Sequence, residues 1–173
     1  MRIAIIGTDP RAVALGRLFA GAGHQLCFAD ASGRTEAAKR AAAEVGASAK
    51  IPYDAATACE LLVFTGTHAQ MHRAARAIGR MPPENVVLDV MEGPVRGARS
   101  GAEQLARILD THRVVRGLLL LAQPGANVPL CGDDPDAVTL VERLLRECGC
   151  VTTDRGPLAN AAEIEAPKPS HAA

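Results

Sequence analysis

The chain of 173 residues has no tryptophan, one tyrosine and three phenylalanines. So few rings leave little surface for stacking on bases or on a flat ligand, and the core must be assembled from Ala, Val, Leu and Ile. An excess of charge is missing too: 19 Lys and Arg stand against 19 Asp and Glu. No global field then draws the chain to nucleic acid or to a membrane, and neither partner is expected. No apolar run approaches the ~20 residues that cross a bilayer, and "GLLLLA" (117–122) reads as a short buried strand. The five cysteines are odd in number, and Cys27 and Cys131 lie in strand-like runs. Arg2 leads at once into a strand pattern rather than a leader, so buried, reduced thiols and a cytoplasmic protein are expected. "CGC" (148–150) lacks the CxxC spacing of a metal or redox pair, and no metal site is expected.

What the chain does have is alternation. "RIAII" (2–6), "HQLCFA" (24–29), "ELLVFT" (60–65), "NVVLDV" (85–90) and "RVVRGLLLL" (113–121) read as strands. Between them Pro10–Ala22, Thr35–Val45, His68–Ile78 and Ala102–Asp110 carry helical spacing, several closed by glycine. "VPLC" (128–131), a helix over Pro135–Glu147 and "CVTTD" (150–154) complete the pattern. Apolar strands separated by helices imply right-handed crossovers and an α/β fold, a doubly wound parallel sheet in one domain over residues 1–165. "EAPKPSHAA" at the end reads as a flexible tail over 166–173.

The first strand runs into "GTDPRAVALG" (7–16), where a dinucleotide-binding domain keeps its G-x-G-x-x-G loop. Gly7 keeps the place of the tight turn and Ala12 that of close helix packing. Asp9 stands where backbone should meet pyrophosphate. Asp-Pro is also a strong helix start, with the carboxylate as N-cap and Pro10 at the first helical position. The helix amides that would hold a phosphate are then open to capture by Asp9, with Arg11 free to offset its charge or to reach a phosphate. After the second strand, Asp30 stands where a carboxylate commonly accepts from the ribose hydroxyls of NAD, while Ser32 and Arg34 suit the extra phosphate of NADP. Asp30, Ser32 and Gly33 equally suit a turn before a helix, so cofactor contact and turn both stay open, as does NAD against NADP.

The residues resemble a known family. "MRIAIIGTDPRAVALGRLFAGAGHQLCFAD" is similar to the opening of the deazaflavin-dependent NADP reductases, whose loop typically runs G-T-G-N-x-G. "VPLCGDDPDAVTLVERLLRECGCVTTDRGPLANAAEIE" resembles that family's Gly-Asp-Asp to Gly-Pro-Leu block, and "VVLDVMEGPVRGA" its loop after the fifth strand. The resemblance implies a Rossmann-type domain and an oxidoreductase that moves hydride between NADP or NAD and a deazaflavin, flavin or small-molecule acceptor. It implies a cofactor site made by Gly7, Thr8, Asp9, Pro10, Arg11 and Ala12 for phosphate, with Asp30, Ser32 and Arg34 at the adenosine. Thr65, Gly66 and His68 fall where the family's nicotinamide lies. Asp30-Ala31 replaces the family's Ser-Arg pair, and the chain stops where members continue into acceptor and subunit contacts, which leads to an expected homodimer. The other reading is a non-catalytic relative with an Asp9-capped cleft, acting as a binding or assembly module.

No catalytic acid–base pair is needed for hydride transfer, since the cofactor carries the chemistry. His68 is the candidate for assisting a proton. His68 and His72 share metal-ligand spacing without a third ligand and read as a polar helix face. Arg73, Arg76 and Arg80 read as a solvated face, and Asp133 and Asp134 as helix caps.

Overall fold

Val, Leu and Ile supply the short strands, and the alanine-rich stretches between them make helices that lie close on the sheet. The computed structural model describes residues 1–92, 100–117 and 123–165, without the Met71 side chain. In chain order it holds β1 (Arg2–Ile6), α1 (Pro10–Gly21), β2 (Gln25–Ala29), α2 (Thr35–Ala43), β3 (Ser48–Ala49), α3 (Pro52–Ala58), β4 (Leu61–Phe64) and α4 (His68–Ile78). There follow β5 (Val86–Asp89), α5 (Gly101–Leu109), β6 (Val114–Gly117), β7 (Asn127–Gly132), α6 (Pro135–Glu147) and β8 (Val151–Asp154). A 3-10 turn over Leu158–Asn160 then leads into α7 (Ala161–Glu165).

The strands form one sheet in the order β3-β2-β1-β4-β5-β6-β7-β8. From β1 the chain winds outward to β2 and β3, then returns to lay β4 on the other side of β1. That reversal opens a crevice at the carboxyl ends of β1 and β4, where open α/β sheets hold their ligands.

The sheet departs from the expected parallel order at one place. β6 and β7 run antiparallel, while β7 and β8 are again parallel. Only residues 118–126 join β6 to β7, fewer than the dozen or more a parallel crossover needs. Strand 113–121 was expected to continue further; its residues 118–121, with Ala122, lie outside the described residues, as do the loop over 93–99 and the tail over 166–173. Neither β3 nor α3 was foreseen, because two strand residues and a seven-residue helix carry too little periodicity to register.

Alternation along the strands divides the core into two layers. Ile3 and Ile5 of β1 pack with α1, α2 and α6 on one face; Ala4 and Ile6 pack with α3, α4, α5 and α7 on the other. The three phenylalanines are all buried, and Gly16 of α1 leaves room for the Phe28 ring: a Cβ there would stand 2.8 Å from its Cζ. The five cysteines are free and buried. Among the described residues no helix is long and apolar enough to cross a membrane.

Candidate functional site

The site is built from the first turn of α1. Gly7 has φ of 148°, and a Cβ on it would run into the Thr65 hydroxyl, so the turn out of β1 requires glycine. Asp9 then caps the helix. Its Oδ1 accepts from the Arg11 amide at 2.9 Å and the Ala12 amide at 3.2 Å, and its Oδ2 accepts from the Thr65 hydroxyl at 2.7 Å.

A helix begins with four amide groups that lack a partner inside it. In α1 these belong to Asp9, Pro10, Arg11 and Ala12. Pro10 has no N–H, and Arg11 and Ala12 donate to the Asp9 side chain, while Val13 makes the first bond inside the helix, to the Asp9 carbonyl at 3.3 Å. Two amides at the start of α1 are thus engaged by a carboxylate of the chain itself.

Arg11 is held as well. Its guanidinium donates to the Val90 carbonyl at 2.9 Å and pairs with the Glu92 carboxylate. The Glu92 backbone is pinned from both sides: its amide donates to Gly66 and its carbonyl accepts from His68, both at 2.9 Å. Arg11 thus spans the crevice from α1 to the segment after β5, with its charge already matched.

Asp30, at the end of β2, forms the neighbouring group. Its carboxylate accepts from the Thr8 hydroxyl at 3.2 Å, the Ser32 amide at 2.9 Å, the Arg34 amide at 3.2 Å and the Ser32 hydroxyl. Burial alone would raise its pKa, but these hydrogen bonds outweigh it and hold the carboxyl below its ordinary range. Asp30 and Ser32 form the turn that the sequence allowed, and Gly33 completes it at φ of 78°.

Thr65 and Gly66 border this crevice from β4, and a Cβ on Gly66 would come 2.5 Å from Gln70 Oε1 and 3.7 Å from Asp9 Oδ2. His68 belongs to a second, buried group. Its Nε2 lies 3.6 Å from Asp89 Oδ2, and Arg116 Nη1 lies 3.3 Å from the same oxygen. Asp89 and Arg116 are register partners on β5 and β6, and both are almost fully buried. Arg116 also donates to the Met91 carbonyl at 2.7 Å, and its Nε lies 3.9 Å from Glu165 Oε1. Glu165 in turn caps α5, taking the Gly101 amide at 2.9 Å and the Ala102 amide at 3.2 Å.

His68, Asp89 and Glu165 bring their ligand atoms within 4.8 Å of one another, the spacing of a metal centre. Arg116 already faces both carboxylates, one positive charge against their two. The ring of His68 packs directly on Gly101, where any side chain would collide with it. His72, one turn along α4, is exposed and reaches Gln104 instead, so the two histidines do not converge. Arg73, Arg76 and Arg80 are exposed. Asp134 caps α6 through the amides of Asp136 and Ala137, and Asp133 accepts from the Leu158 amide.

Sequence reasoning missed Glu92, Asp89, Arg116 and Glu165. The signal for two of them was present: "NVVLDV" (85–90) and "VVRG" (114–117) each carry one charge in an otherwise apolar run, and a charge there must find a partner.

No family model matches the chain. Solved structures share its fold. It superposes over 94% of its length on 88% of a candidate F420-dependent NADP reductase from Arthrobacter sp. FB24, with a TM-score of 0.78 and 22% identity. A prephenate dehydrogenase from A. aeolicus, in complex with NAD+ and hydroxyphenyl propionate, matches 95% of the chain at TM-score 0.71 and 14% identity. A reductive aminase from Aspergillus terreus, in complex with NADPH and ethyl-5-oxohexanoate, matches 94% at 0.72 and 20%. The chain spans 61% and 57% of those last two proteins. Its fold is that of the NAD(P)-dependent dehydrogenases and reductases, the Rossmann type.

Proposed function

We propose that this chain is a Rossmann-fold relative of the NAD(P)-dependent reductases whose pyrophosphate site is filled by its own Asp9, and that it acts as a non-catalytic binding or assembly module. One observation carries this reading: the Arg11 and Ala12 amides at the start of α1 are both taken by the Asp9 carboxylate. A dinucleotide would have to displace the Asp9 cap, worth about 1 kcal/mol. It would also bring phosphate close to a carboxylate, which costs about 1 kcal/mol at ~4 Å in water and several times that where solvent is partly excluded. Arg11 offers little return, because Glu92 already neutralises it. Calorimetric titration with NADPH, NADP, NADH and NAD tests the proposal. No heat with any of the four is expected; micromolar binding of one pair overturns it. The assembly role is expected to rest on a homodimer, and sedimentation showing a clean monomer at working concentration counts against that part.

A second reading is supported by the parts of the crevice that keep their form. Gly7 makes the required turn, Ala12 packs fully buried against the sheet, and Asp30 stands at the end of β2. On this reading the chain is an oxidoreductase that binds NADP or NAD once Asp9 swings aside, with a deazaflavin, flavin or small molecule as hydride acceptor. Gly7–Ala12 would take phosphate, Asp30, Ser32 and Arg34 the adenosine, and Thr65 and Gly66 the nicotinamide edge. His68, buried beside Asp89, would position that edge rather than exchange protons with solvent. The same titration separates the two readings.

A further inference from the structure

At the opposite end of the sheet two sulfurs meet. Cys27 in the middle of β2 and Cys59 just before β4 are 32 residues apart in sequence, with β1 lying between their strands. Ala4, the register partner of Cys27 on β1, belongs to the same layer of the core as both cysteines. Its methyl group is small enough to let the Cys27 side chain reach across. The Sγ atoms stand 3.5 Å apart, where a disulfide would hold them at about 2.05 Å. A bond between them would draw the sulfurs about 1.5 Å closer.

The pair is also asymmetric. Cys59 lines a cleft of about 570 Å³ together with Arg2, Glu60, Asn85 and Arg143, whereas Cys27 lies behind it in the core. The hydrogen bond with Cys27 holds the Cys59 thiol below its ordinary range; burial and Glu60 oppose it, and Arg2 and Lys50 act in the same sense. That same bond, with burial, pushes the Cys27 thiol up. One sulfur is therefore suited to attack and the other to hold a proton until it is needed.

We propose that Cys27 and Cys59 form a redox-active dithiol, with Cys59 the peroxidatic sulfur and Cys27 the resolving one, acting on a small hydroperoxide that enters the cleft. The Cys59 thiolate attacks one oxygen of the hydroperoxide, forming an S–O bond as the O–O bond breaks and an alcohol, or water from hydrogen peroxide, leaves with a proton. Cys59 is then a sulfenic acid. The Cys27 sulfur attacks it, an S–S bond forms, the S–O bond breaks, and hydroxide leaves as water with the Cys27 proton. Two thiols have given two electrons to one peroxide, and a thiol reductant restores them by exchange.

Hydrogen peroxide on the intact, reduced protein is the test, followed by rapid alkylation, digestion with trypsin and mass analysis without reductant. Trypsin places Cys27 in peptide 18–34 and Cys59 in peptide 51–73. The expected result is a cross-link between those two peptides, two mass units lighter than their sum, formed roughly tenfold faster than any loss of the Cys131 thiol. Cys131 is the internal standard, because burial pushes its thiol up to about 12. In Cys27→Ser the sulfenic acid should persist on Cys59 and be trapped by a dione probe. Loss of Cys59 no faster than Cys131, or Cys59 passing to the sulfinic acid in the native chain without a cross-link, overturns the proposal. Since the decisive reaction uses the native chain, a poorly folding variant leaves the outcome legible.

Discussion

The two ends of this sheet are built from the same short strands, yet they treat polar groups in opposite ways. At the carboxyl ends, three helix starts are occupied from inside: Asp9 sits on α1, Glu165 on α5, and Asp30 gathers the amides that lead into α2. Arg11 and Arg116, the cations facing these carboxylates, are each paired. At the amino ends, Cys59 faces a cleft with Arg2 and Arg143 on its lining. The difference teaches that a carboxylate from the chain can satisfy the start of a helix as an anion would, since the helix dipole favours negative charge from either source.

The largest effect should follow from breaking the buried charge cluster. Arg116→Met leaves Asp89 uncompensated in the core, and we expect a loss of about 3–5 kcal/mol in urea unfolding. A loss below about 1 kcal/mol would mean that the cluster is dispensable and that the carboxyl end is not held by its internal charges. Gly101→Ala comes next. Its methyl group collides with the His68 ring, and overpacking of this kind costs about 1–3 kcal/mol. A fully stable Gly101→Ala protein would show that His68 moves freely, which reopens it as a working group.

Asp30→Asn sharpens the comparison through pH. The folded-state pKa of Asp30 is lowered, so its contribution is complete above the unfolded value near 3.8 and is lost as pH falls through the lower folded value. The native chain should exceed Asp30→Asn by about 1–2 kcal/mol at pH 7, and the gap should close below about pH 4. A gap independent of pH would remove the charge from the explanation. The smallest effect belongs to the cap: Asp9→Ala should lose about 1 kcal/mol. Asp9→Asn should lose almost none, since Asn caps equally well, and thermal melts of the pair distinguish a capping role from one that needs the charge.

Much of this was legible in the sequence, for reasons that differ by region. Asp9-Pro10 announced a self-capped helix because capping is local: donor, acceptor and spacing lie within four residues. The parallel strands followed from their length and apolar character. The antiparallel β7 did not, since only the short 118–126 connection signals it and strand direction leaves no mark on periodicity. Asp89 and Arg116 stood out as charges inside apolar runs, but their pairing depends on the β5–β6 register, which no local pattern gives. Glu92 and Glu165 are ordinary surface-type residues until the fold carries them to Arg11 and to α5. The meeting of Cys27 and Cys59 over β1 is a product of strand order alone, and an odd cysteine count without motif spacing gives no hint of it.

Whether Asp9 stands in for a phosphate is measured most directly by amide NMR of Arg11 and Ala12 in the native chain and in Asp9→Gly, each titrated with NADH and NADPH. Glycine there should cost only a few tenths of a kcal/mol in cap energy, so the helix stays and its amides are freed. We predict that the native amides do not shift, and that in Asp9→Gly both move on binding at least about tenfold tighter than native, the gain of one charge-assisted contact. Native amides that shift on saturable, micromolar binding would contradict the account and make this crevice a working dinucleotide site.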